Sequence, residues 1–142
     1  MSGREELNEM KDMAEEIRSN LKVLEEVKSQ AYKVNSILNG LPFGKKVSDK
    51  VGEGAIKLVE LEEELKEAAE RYNDMSAKVI RKINKMKKVR EKNILKLRYI
   101  VGRSFESIAR IMQVSKSWIF QLHREALMSY EKIYKQSVVK SS

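Results

Sequence analysis

From Leu7 the apolar residues fall at Leu7, Met10, Ala14, Ile17, Leu21 and Leu24, in alternating steps of three and four that resume at Ala31 and Leu38. Such spacing keeps one stripe of a helix apolar over many turns and predicts a helix of about thirty-five residues with a heptad seam. A second seam starts at Leu58 and continues through Leu61, Leu65, Ala68, Tyr72, Met75 and Val79 before drifting to Ile83 and Met86. Between the seams, "NGLPFGKKVSDKVGEG" collects four of the six glycines and the only proline, the composition of a connection. Two helices of about 45 to 50 Å joined by a loop over about 39–54 are expected to fold back as an antiparallel, coiled-coil-like hairpin spanning 1–86. Apolar residues beside the seams (Met13, Val27, Val34, Ile56, Val59 and Ile80) exceed what one partner helix covers, so a homodimer through the hairpin is expected.

Past the hairpin the spacing becomes specific. Residues 87–136 supply what a helix-turn-helix requires: Ile108 then Ala109 where two helices cross, Met112 and Val114 around a turn, Ser115 as a cap, and Ile119 and Leu122 facing back. Gly102 is placed to end the preceding helix and Ser104 to cap the next. The turn is the one departure from the pattern. Gln113 stands where glycine usually takes a left-handed backbone, at a cost of about 1 kcal/mol. Residues 137–142 read as a tail, and the whole as an all-α protein.

At 100° per residue, Ile119, Leu122, Ala126 and Tyr130 define the inward face of the helix that follows Ser115. Ser117, Gln121 and Arg124 then point outward, flanked by Lys116 and Phe120, while His123 falls at the edge of the core face. Trp118 lies to the side, between bracing a neighbour and resting on a nucleic-acid backbone. Arg pairs with guanine, Gln with adenine, and Phe touches the thymine methyl, so this strip suits a major groove. The Ser115 cap turns a positive helix end toward phosphate. Double-stranded DNA is the expected partner, bound by Ser115, Lys116, Ser117, Phe120, Gln121 and Arg124, with Lys87, Lys88 and Arg103 as candidate phosphate contacts.

Composition agrees with helices: 42% apolar but only 6% aromatic, with 35% charged. The net charge of +8 is unevenly distributed. Residues 1–77 carry 12 Lys and Arg against 17 Asp and Glu, and residues 78–142 carry 17 against 4, so the basic excess lies with the helix-turn-helix. No window approaches the length of an apolar membrane span, and "MSGREELNEM" has acids where a signal peptide would be basic, so neither membrane nor export is expected. The expected location is the cytoplasm.

Enzyme chemistry has little to work with. There is no cysteine and a single histidine, His123, so no metal, cofactor or catalytic site is expected. "GLPFGKKVS" fails as a phosphate loop because only three residues stand between its glycines where the motif needs four, and Lys46, not Ser or Thr, follows Lys45.

Residues 95–127, "LKLRYIVGRSFESIARIMQVSKSWIFQLHREAL", resemble the promoter-reading C-terminal domain of bacterial sigma factors. A wider resemblance is to phage-encoded, sigma-like proteins akin to ArpU-type late transcription regulators. Its elements are Ser48-Asp49-Lys50, Leu97-Arg98-Tyr99, Ile108-Ala109 with Met112, and Trp118-Ile119 with Leu122-His123 and Ala126-Leu127. The resemblance implies DNA-binding control of transcription in a phage or prophage. RNA polymerase becomes a candidate partner, which an acidic patch on the long helices would also suit. Nothing in the hairpin resembles the further domains of a complete sigma factor, which points to an activator or accessory regulator. Two rivals stay open: a DNA-packaging recognition subunit, and a helical scaffold that binds no DNA.

Overall fold

A computed structural model describes the backbone of residues 1–38 and 47–141 and the side chains of residues 1–33 and 57–139. Five α-helices follow one another: α1 (Gly3–Leu38), α2 (Val47–Asn84), α3 (Val89–Leu95), α4 (Phe105–Met112) and α5 (Lys116–Ser141). A π-helical segment, Lys96–Val101, continues α3 directly. Among the described residues there is no strand, as the composition predicts.

Two boundaries differ from the expectation. Residues 39–46 of the expected loop lie outside the described residues, but α2 already begins at Val47, so 47–54 are helical, Ser48-Asp49-Lys50 included. Gly52 and Gly54 cost a helix about 1 kcal/mol each, which a 38-residue helix absorbs. The expected tail at 137–142 is also helical as far as Ser141.

The chain divides into two compact units, Met1–Met13 with Tyr72–Ser142, and Ala14–Arg71. The first has a continuous core of Leu7, Met10, Val79, Ile83, Met86, Ile94, Leu95, Tyr99, Ile108, Ala109, Ile119, Leu122, Ala126 and Tyr130. Thus the first turns of α1 and the last turns of α2 are buried with the C-terminal helices. The reason is geometric: a short helix-turn-helix has too little apolar surface to close its own core, and two seam-bearing helix ends complete it. Close approach is visible at Gly3, where a Cβ would stand 2.9 Å from Tyr130 Cδ1 and 2.7 Å from Glu131 Oε2.

A polar cluster crosses the same core. Lys82 Nζ donates to both carboxylate oxygens of Glu6, at 2.8 and 2.7 Å, and the Tyr130 hydroxyl donates to Glu6 as well. Lys82 also stands 5.0 Å from the centre of the Tyr134 ring. Burial first, and then the bond to Glu6, push the Tyr130 phenol above its ordinary range.

In the second unit Lys28 on α1 pairs with Glu62 on α2 at 3.3 Å, an exposed contact that contributes little. Ala14 and Leu24 are buried here, but Ile17, Leu58, Leu61 and Leu65 are only half-buried and Leu21 is exposed.

Candidate nucleic-acid interface

The interface is assembled from two caps and two left-handed residues. Gly102, at φ 84°, ends the π segment, and the Arg103 N–H returns to the Leu97 carbonyl at 2.9 Å. Ser104 then caps α4, its hydroxyl accepting from the Ser107 N–H at 3.1 Å. Gln113 closes α4 at φ 58° and ψ 46°, and the Val114 N–H bonds the Ala109 carbonyl at 3.0 Å. The strained turn is therefore present despite the absence of glycine. Ser115 starts α5, its hydroxyl accepting from the Trp118 N–H at 3.1 Å.

Burial along α5 follows the helical wheel. Ile119, Leu122, Ala126 and Tyr130 are buried; Ser115, Lys116, Ser117, Gln121 and Arg124 are exposed together, as is Arg103. Phe120 is 41% exposed and Trp118 42% exposed, so neither is core. Phe120 is nonetheless held in place. Its ring meets Phe105 with centroids 5.2 Å apart, and the Arg98 guanidinium lies 4.2 Å from the centre of Phe105 on α4. Arg98 also donates to the Arg103 carbonyl at 3.1 Å, tying the π segment to the loop before α4.

His123 is a packing residue at the core edge, as the wheel predicts. Its Nε2 and the Tyr99 hydroxyl share a hydrogen bond of 2.7 Å, and the Phe105 ring packs against it edge to face with centroids 4.8 Å apart. Burial, followed by the positive charges of Arg4 and Arg98, lowers the imidazole to about 4, so the ring is neutral at pH 7. Burial also raises Tyr99. The layered Arg98, Phe105 and Phe120 side chains and the Tyr99–His123 bond were not legible in the sequence, because their partners sit on three different elements.

Lys87 and Lys88 are exposed, but they line a groove with Lys85 and Lys132 rather than the strip formed by Ser117, Gln121 and Arg124. Among the described residues no group of three or more His, Cys, Asp or Glu side chains is arranged to hold a metal ion, and no helix is long and apolar enough to cross a membrane.

No curated protein and no solved structure matches the chain. Residues 88–129, which run from the connection before α3 to the middle of α5, match the profile of Sigma-70, region 4. With two capped helices about a left-handed turn, this segment is a sigma-like helix-turn-helix within an all-α chain.

Proposed function

We propose that the protein is a sequence-specific regulator of transcription that binds double-stranded DNA and reads the major groove with the exposed face of α5. The observation that carries this reading is the grouping of Ser117, Gln121 and Arg124, all exposed, on a serine-capped helix in a segment similar to Sigma-70, region 4. Arg124 carries the paired donors that suit guanine and Gln121 the amide that suits adenine, and the exposed Phe120, steadied by Phe105, offers a ring to a thymine methyl. Ser115 and Lys116 at the start of α5, and the exposed Arg103 before α4, supply phosphate contacts. The sequence motifs that resemble ArpU-type regulators are the ground for a phage or prophage role, and the likeness to Sigma-70, region 4 is the ground for RNA polymerase as a partner.

Arg124→Ala and Gln121→Ala are each expected to weaken binding to the best site by about 1–3 kcal/mol while leaving the melting temperature unchanged, since both side chains are exposed. Selection of bound fragments from the source genome identifies that site. Wild-type affinity in the double variant would refute the assignment of α5. Enrichment near promoters supports the regulator, whereas enrichment at genome ends points to a packaging subunit and no enrichment to a scaffold.

The half-open seam of the second unit supports pairing with a second copy. A two-helix hairpin buries too little of Ile17, Leu21, Leu58, Leu61 and Leu65, and Val59 and Tyr32 are exposed as well. Sedimentation equilibrium is expected to show a dimer, converted to monomer by Leu21→Glu with Val59→Glu. A wild-type monomer at all concentrations would exclude this pairing.

A further inference from the structure

The groove that contains Lys87 and Lys88 has a chemistry of its own. It encloses about 470 Å³ between the α2–α3 connection and the C-terminal half of α5, and is lined by Lys85, Lys88, Lys132, Ser129, Met86 and Ile133 among others. None of the four lysines at 85, 87, 88 and 132 forms an ion pair among the described residues. Glu91 at its base is 3% exposed and accepts from the Ser129 hydroxyl at 2.6 Å, so the outward charge of the groove is that of the ammoniums. Met86 is buried and Ile133 half-buried, giving the groove an apolar floor.

Its position separates it from the reading strip. On α5 the residues Ser129, Lys132, Ile133 and Gln136 centre about 100° around the helix from Ser117, Gln121 and Arg124, and roughly 15–20 Å further along. A duplex phosphate backbone offers nothing to an apolar floor. Carboxylates alternating with apolar side chains satisfy rim and floor together.

We propose that this groove docks an acidic, apolar-bearing segment of a partner protein, with the lysine ammoniums taking its carboxylates and Met86 and Ile133 receiving its apolar side chain. Lys87 and Lys88 then serve the partner rather than the DNA backbone. Charge complementarity commits the site to this ligand.

The test uses fluorescence anisotropy on the full chain with three probes: a short labelled peptide alternating Glu with Leu, the same peptide with Ser for Leu, and a mixed-sequence duplex DNA. The Glu/Leu peptide is expected to bind at low salt, at least about fivefold tighter than the Glu/Ser peptide. Lys85→Ala with Lys132→Ala, both exposed positions, is expected to weaken it at least about tenfold. Duplex affinity and its salt dependence should be unchanged by that pair. Absence of peptide binding, equal binding of the two peptides, or an equal loss of duplex affinity would each overturn the proposal, the last by assigning the groove to DNA phosphates. The peptide measurements do not depend on whether α5 reads a DNA sequence, so the two readings fail separately.

Discussion

Replacing Glu6 with alanine is expected to destabilise the unit that carries the helix-turn-helix by about 3–5 kcal/mol, although Glu6 lies far from it in sequence. The Glu6 and Lys82 side chains are only 12% and 11% exposed, and both carboxylate oxygens accept from the one ammonium. Tyr130, fully buried, donates to the same carboxylate. Removing it strands an ammonium and a phenol hydroxyl in a nearly closed site, and the cost is that of two unsatisfied groups rather than of one lost ion pair. Glu6→Gln keeps an acceptor and should cost less. Glu6→Leu with Lys82→Met removes the charge as well as its partner and should recover much of the loss. Urea unfolding followed by circular dichroism gives the values. An unfolding free energy for Glu6→Ala equal to that of wild type would mean that the start of α1 does not hold α5.

The second large effect is a loss of stability in mild acid. His123 is held near 4 in the folded chain against about 6.5 when unfolded, chiefly by burial and then by Arg4 and Arg98. Above pH 6.5 both states are neutral and the full stability is present. As the pH falls from 6.5 toward 4 the unfolded chain takes up a proton that the folded chain refuses, and stability drops by about 3 kcal/mol in total. The ring bonds the Tyr99 hydroxyl and packs against the Tyr99 and Phe105 rings, none of which offers a negative charge to stabilise an imidazolium. Carboxylates titrate in the lower part of this window, so the comparison is with His123→Gln. The variant should lack the slope between pH 6.5 and 5. Parallel profiles for the two proteins across that interval would refute the assignment.

Much of α5 and of the turn before it was legible in the sequence, because the signals there are local. A cap, a left-handed turn and a 100° wheel each depend on neighbours within a few residues, and Ser104, Gln113, Ser115 and the buried face of α5 all stand where the pattern puts them. The seams were harder to interpret. A heptad stripe shows that something covers Leu7 and Val79 but not what, and the cover includes the C-terminal helices as well as the facing seam. The π segment was hidden for a related reason: a shift from four-residue to five-residue hydrogen bonding moves side chains without changing their identities. Gly52 and Gly54 misled in the other direction, since glycine signals a break only where length and packing do not override it.

The bond from Tyr130 to Glu6 spans 124 residues. During synthesis at about 5–20 residues per second, Glu6 leaves the ribosome on the order of 10 s before Tyr130 is added. For that interval the apolar start of α1 has no core to enter. Chains released before α5 is made therefore lack the Glu6–Tyr130 bond and the α5 share of the core.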